Sequence, residues 1–262
     1  MRSKPKLAIW KFTSCDGCQL TVLDCEEAFI DLIDSFDVAL FLEARRDFEP
    51  GPYDVSLVEG SVSTPAEIER IKGIRDQTRF LIPFGVCATW GGIQALRNWG
   101  NAEQMKADVY PRPQDVESLP TSTPIWAHVK IDYELQGCPP DRGQLIDILG
   151  QILMGKEPRL ATNSVCMECK RRGNICVLVA QNMTCLGPVT HDGCGALCPT
   201  YNTGCYGCFG PMDDPKPERF ARELEVRGMR PPEIVREFMR ITSYAEGYRK
   251  GAELYERATH QS

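Results

Sequence analysis

The sequence predicts a parallel α/β domain followed by a cysteine-rich, loop-rich segment and a helical tail, and three observations predict it. Short apolar runs alternate with helix-like stretches along the first part of the chain. Eight cysteines crowd the stretch from Cys166 to Cys208, set among glycines and prolines. From Pro215 onward the chain turns polar and helix-like, without repeats or low-complexity sequence.

The apolar runs are KLAIWKF (Lys6 to Phe12), DVALFLE (Asp37 to Glu43), DVSLVEG (Asp54 to Gly60) and RFLIPFG (Arg79 to Gly85). Helix-like stretches run from Gln19 to Ile33 and from Thr64 to Arg75. In the second, Ser63 or Thr64 serves as cap and Pro65 suits the first turn. Buried strands joined by helices indicate a parallel sheet with crossover connections. Ligands of such sheets sit beyond the carboxyl ends of the strands. Cys15, Cys18 and Cys87 all fall there, each just after a predicted strand. The segment Ala127 to Pro140 reads as a further strand that delivers Cys138 to the same region. Next, Leu145, Ile148, Leu149, Ile152 and Leu153 share one helical face, with Gly155 to end the helix. The domain boundary is expected near Glu157, giving a first domain of residues 1–157 and a second of 158–262.

The composition is that of a globular chain, 42% hydrophobic and 25% charged. A net charge of -6 argues against a nucleic-acid protein, which needs a basic face. No apolar run approaches the length that spans a bilayer, and the N-terminus lacks the features of a signal peptide. A cytoplasmic location is expected. GQILMGKE (Gly150 to Glu157) has phosphate-loop spacing, but it lies in an amphipathic helix and Glu157 stands where magnesium chemistry needs Ser or Thr.

A reducing cytoplasm disfavours disulfides, and thirteen cysteines is an odd count, so metal binding is the better default. Two sets of four thiolates fit the dense segment: Cys166, Cys169, Cys176 and Cys185, then Cys194, Cys198, Cys205 and Cys208. Four-thiolate sites suit zinc or iron–sulfur clusters, and spacing alone leaves a zinc-stabilised interaction module open.

Three separated motifs decide between them. SCDGCQLTVLDCEE after the first strand, FGVCATWGGI (Phe84 to Ile93) and QGCPP (Gln136 to Pro140) closely resemble the motifs of the nickel–iron hydrogenase small subunit family. CLGPVT (Cys185 to Thr190) and CYGCFGP (Cys205 to Pro211) resemble its second domain, and the likeness is strongest to the delta-type subunits of cytoplasmic NAD(P)-linked members. The resemblance implies a flavodoxin-like first domain followed by an iron–sulfur domain. It implies three 4Fe–4S clusters: a proximal one on Cys15, Cys18, Cys87 and Cys138, a distal one on Cys166, Cys169, Cys176 and Cys185, and a medial one on Cys194, Cys198, Cys205 and Cys208. Many relatives have a histidine where Cys166 stands, and a proline with a three-iron cluster near Cys198.

The implied role is electron transfer in a soluble hydrogenase. The nickel–iron centre would lie on a large subunit, and FAD and NAD(P) on a diaphorase partner reached with an iron–sulfur subunit. The same small subunit attached to deazaflavin reduction or to a heterodisulfide reductase is the alternative. Cys25 is left over and reads as a small buried core residue. His191 is expected beside the clusters or facing solvent, His128 on a strand as a core or hydrogen-bonding residue, and Lys170 to Arg172 as a solvated turn.

Overall fold

β1 (Lys6–Lys11) is apolar on both faces, and the computed structural model, which describes residues 4–25, 34–160 and 162–259, places it inside a sheet. With β2 (Asp37–Phe41), β3 (Tyr53–Glu59) and β4 (Thr78–Pro83) it forms four parallel strands in the order β2-β1-β3-β4. Leu7 pairs with Val38 on one side and Val55 on the other, and Leu57 pairs with Ile82. Leu7, Ile9, Val55, Leu57 and Ile82 face one core, closed by Val22 and by Leu145, Ile148 and Leu149. Those residues come from α1 (Gly17–Leu23) and, much further along the chain, from the helix Arg142–Leu153. The opposite core holds Phe12, Val58, Leu81 and Ala88 with Ile71 and Ile74 of α2 (Pro65–Asp76). Thr64 caps α2, its Oγ1 accepting from the Glu67 N–H while Glu67 accepts from the Thr64 N–H.

α3 (Val86–Trp90) follows β4 directly, and α4 (Ala102–Val109) and α5 (Arg142–Leu153) complete the first unit's described α-helices. The helix expected from Gln19 to Ile33 is α1, and residues 26–33 lie outside the described residues. Gly150 to Leu153 form the last turn of α5, while Gly155, Lys156 and Glu157 lie beyond its end, so only the first half of the phosphate-loop spacing is helical.

The strand expected over Ala127 to Pro140 does not form. Ile125–Ala127 is a 3-10 turn, and only Leu135 bridges to the sheet, opposite Phe84. The cause lies in β4. A ladder on this edge would use the N–H of residue 83, and Pro83 has none. Asp132 takes over the neighbouring position, accepting from the Leu81 N–H at 2.8 Å and donating its own N–H to the Leu81 carbonyl. Beyond the gap the chain still runs alongside, with the Gly85 N–H donating to the Leu135 carbonyl and that of Val86 to Gly137, each at 2.8 Å. Cys138 therefore reaches the strand ends on an irregular ribbon.

The chain divides into two compact units, residues 1–160 and 161–262. The second begins with short elements: α6 (Val165–Arg172), α7 (Val177–Ala180), a 3-10 turn at Gly187–Val189 and α8 (Leu197–Thr200). Three further helices follow, α9 (Pro217–Val226), α10 (Pro231–Phe238) and α11 (Glu246–Thr259). They bury Phe220, Leu224, Ile234, Phe238, Tyr248 and Ala252, and Phe238 stacks edge-on against Tyr248 at 6.0 Å. Tyr248 Oη bonds with Thr190 Oγ1 and donates to the Gly210 carbonyl, tying α11 to the cysteine segment. Among the described residues no helix is long and apolar enough to cross a membrane.

Candidate metal centres

The thirteen cysteines form no disulfide with one another. Three loops at the carboxyl end of the sheet bring together the first four. Cys15 and Cys18 come from the β1–α1 turn, Cys87 from the first turn of α3, and Cys138 from the ribbon beside β4. Cys18 and Cys87 are buried, while Cys15 and Cys138 are exposed. Burial above all pushes the Cys18 thiol far up, and Glu59 and the neighbouring Cys87, Cys138 and Cys15 push it further. Cys87 is raised to about 11 by burial, opposed by its hydrogen bond to Gln94 and reinforced by Cys138, Cys15 and Glu59. The cysteines that bear on Cys18 are the other three of the set, so the four thiols lie near one another.

Glycines make room for these sulfurs. A Cβ on Gly85 would lie 2.2 Å from Cys18 Sγ, and one on Gly92 would lie 2.5 Å from Cys87 Sγ. Two polar residues that belong to no cysteine motif complete the pocket. Glu59, fully buried at the end of β3, accepts from the Cys18 N–H at 3.3 Å and from Gln19 Nε2 at 2.9 Å. Gln94 accepts from Cys87 Sγ at 3.4 Å and donates through Nε2 to the Thr13 carbonyl at 2.7 Å. The only hint of Glu59 in the sequence is an acidic residue closing an otherwise apolar run.

In the second unit, Cys166 and Cys169 stand on α6, Cys176 caps α7, and Cys185 precedes the 3-10 turn. All four line one cavity of about 110 Å³, with Val177, Leu178 and Pro188 as apolar walls. Cys166 is raised to about 12, first by burial, then by Cys185, Cys169 and Cys176. Cys185 Sγ accepts an N–H from Cys205 at 3.2 Å, and a Cβ on Gly187 would lie 3.3 Å from it. In the remaining four, two pairs are evident. Cys198 adds to the burial that pushes up Cys194, and Cys208 adds to the burial that pushes up Cys205. Cys198 and Cys205 both bear on Cys185, so the two groups of four adjoin.

Among the described residues, no three His, Cys, Asp or Glu side chains close tightly enough to hold a single metal ion. The donor chemistry is nonetheless that of thiolate ligation. Buried thiols raised by one another lose their protons to a metal, and backbone N–H groups already point at their sulfurs. The residues fit an iron–sulfur group.

The other candidates resolve simply. Cys25 is 7% exposed, packs in the first core and donates to the Thr21 carbonyl at 3.3 Å. Cys25→Ser should keep the iron content unchanged and cost about 1–2 kcal/mol, because the hydroxyl retains that acceptor but is desolvated. Iron analysis with a thermal melt checks it, and loss of a cluster's share of iron would show that Cys25 is a ligand. His191 is buried, not solvent-facing, with Nδ1 at 2.5 Å from the Asp192 carbonyl. His128 follows the 3-10 turn instead of lying on a strand, and its Nε2 bonds with Thr123 Oγ1 at 2.7 Å. Lys170, Arg171 and Arg172 form the last turn of α6, where cations complement the helix dipole.

Residues 15–152 match the family described as NADH ubiquinone oxidoreductase, 20 Kd subunit. The chain is 35% identical over 222 residues to sulfhydrogenase 2 subunit delta of Pyrococcus furiosus, covering 84% of this chain and 93% of that protein. It is 30% identical over 244 residues to a subunit of the vhu F420-non-reducing hydrogenase of Methanococcus voltae, covering 82% of this chain and 85% of that protein. A chain of an NAD+-reducing NiFe hydrogenase solved in the H2-reduced state superposes with a TM-score of 0.56 at 25% identity, covering 61% of this chain and 96% of that one. The fold, the gathered thiols and these likenesses converge: the chain belongs to the nickel–iron hydrogenase small-subunit family, and is an electron-transferring hydrogenase subunit whose active site lies on another chain.

Proposed function

We propose that the chain holds three 4Fe–4S clusters and relays electrons from hydrogen oxidation toward an NAD(P)-reducing flavin partner in the cytoplasm. Cys15, Cys18, Cys87 and Cys138 would hold the proximal cluster, Cys166, Cys169, Cys176 and Cys185 the distal, and Cys194, Cys198, Cys205 and Cys208 the medial. The observation that carries the reading is the convergence of four thiols from three loops at the carboxyl end of the sheet, inside the matched residues 15–152. When bound, the clusters supply one-electron carriers whose potentials follow burial, net charge and N–H···S bonding. This chain's own part is to exclude water from the sulfurs of Cys18, Cys87, Cys185 and Cys205, and to hold their donors in place.

Two exposed faces support hetero-oligomeric assembly. Ile93 and Trp126 lie open around α3, beside the first four thiols. On the second unit, Ile175, Val179, Leu197 and Tyr201 are exposed around the open thiol of Cys176. Asn174 bonds Thr200 and Gln181 bonds Asn202 across the same face. The first face suits the nickel–iron large subunit, and the second an iron–sulfur or flavin-bearing diaphorase partner.

About twelve iron atoms per chain are expected from three four-thiolate sets. Anaerobic purification with iron and zinc quantification tests this, and near-equimolar zinc with little iron would sink it. The alternative acceptor is a heterodisulfide reductase, since the likeness to an F420-non-reducing hydrogenase lends no support to deazaflavin reduction. Hydrogen-dependent reduction of NAD+ or NADP+ by the co-purified complex decides between them.

A further inference from the structure

Glu168 stands on α6 between Cys166 and Cys169, yet its carboxylate is spent on the neighbouring group of four. Oε1 accepts from the Gly193 and Gly195 N–H groups at 3.0 Å each, and Oε2 accepts from the Ala196 N–H at 3.1 Å. The loop is shaped for this. Gly193, Gly195 and Ala196 have φ of 131°, 63° and 53°, all left-handed, and Ala196 takes that conformation without a glycine's freedom. Left-handed residues close together in a loop turn their N–H groups inward into an anion nest. Here the anion comes from the chain itself, and Cys194 Sγ lies 3.8 Å from Oε2.

We propose that Glu168 is a positioning residue that holds down the reduction potential of the cluster bound through Cys194. This rests on the reading that Cys194 is a cluster ligand. Two effects of the same sign support it. A fixed negative charge beside a ligand sulfur opposes arrival of an electron at the cluster. The Ala196 N–H is also committed to Oε2, so it is less available to the adjacent Cys194 sulfur, and N–H···S bonds raise potentials. Glu168 thus ties the ligand-bearing helix of one set to the ligand loop of the next. Electrons resting on the middle carrier would be passed on instead of trapped.

The test is a redox titration followed by EPR on the anaerobically purified complex carrying Glu168→Gln. Gln keeps the shape, removes the charge and offers an N–H toward Cys194. One cluster's midpoint should rise by about tenfold in its one-electron equilibrium, about 59 mV, with the other two unmoved. Glu168→Asp keeps the charge and should load with a midpoint near wild type. An unshifted titration of a fully loaded Glu168→Gln complex overturns the proposal while leaving the three-cluster reading intact. A common shift of all three clusters overturns it as well, because the effect is then not local. Loss of that cluster in Glu168→Gln, whether or not Glu168→Asp loads, makes the carboxylate a folding element and also overturns it. A wild-type complex lacking a cluster on Cys194 removes the reading and the proposal together.

Discussion

Replacing Gly85 by alanine should strip about a third of the iron from the chain and abolish hydrogen-dependent reduction of any acceptor. Gly85 has φ +86° and ψ 152°, a backbone conformation essentially confined to glycine, and a side chain there costs about 1–3 kcal/mol before any contact is counted. The contact is worse. The new Cβ would lie 2.2 Å from Cys18 Sγ and 3.5 Å from Cys18 Cβ. Relief by backbone movement is blocked, because the Gly85 and Val86 N–H groups are both committed to the ribbon that carries Cys138. The sulfur is the part that can yield, and a displaced Cys18 no longer shares a pocket with Cys15, Cys87 and Cys138. The sheet should survive, since Cys18 is one small member of a core carried by Leu7, Ile9, Val55, Leu57 and Ile82. Iron per chain, EPR and far-UV circular dichroism of the purified complex check this. Full iron content with wild-type spectra would mean that Cys18 is not a ligand.

Removing the metal should have its largest structural effect on the second unit. Between Leu160 and Pro211 the described helices run to eight residues or fewer, too short to stand alone in water. Among their buried side chains, Val177 and Leu178 line the thiol cavity itself. Ligation must therefore supply the ordering free energy that apolar burial supplies elsewhere. The first unit is different. Leu7, Ile9, Leu57, Leu81 and Ile82 are each fully buried, and each such side chain contributes about 1.5–3 kcal/mol. Limited proteolysis of iron-free protein should cut first within residues 160–211, leaving the sheet and the α9–α11 helices as resistant fragments. Equal resistance throughout would contradict this.

The alternation of apolar runs and helix-like stretches was enough to read all four strands, with ends displaced by one or two residues. Thr64 and Pro65 announced α2 in the same local way. The misplaced strand at Ala127 to Pro140 shows the limit, because its own sequence is strand-like and the obstacle, Pro83, lies on the strand it would have joined. The cysteines were legible as candidates because ligand spacing is written along the chain. Glu59, Gln94 and Glu168 were not. Glu59 looks like an ordinary strand end, and Gln94 and Glu168 like ordinary polar surface residues, until the fold brings a Cys N–H, a Cys sulfur or three loop N–H groups to them. Their roles depend on contacts made far along the chain, and no local pattern records them.

The ribbon beside β4 also sets a timetable for biosynthesis. With the proximal ligands as proposed, the first site takes its opening thiols from the β1–α1 turn and its last from Cys138, so the whole stretch from Cys15 to Cys138 must leave the ribosome before the site exists. Even then Cys138 is in place only once the Gly85 and Val86 N–H groups have gripped the ribbon. The thiols lining the second unit's cavity are separated by short loops and can meet as soon as that stretch is made. A nascent chain stalled before Cys138 would present three thiols to whatever delivers iron and sulfide, an incomplete site that a maturation machinery can tell from a finished one. Delivery to the sheet domain is in this way conditional on the sheet having folded.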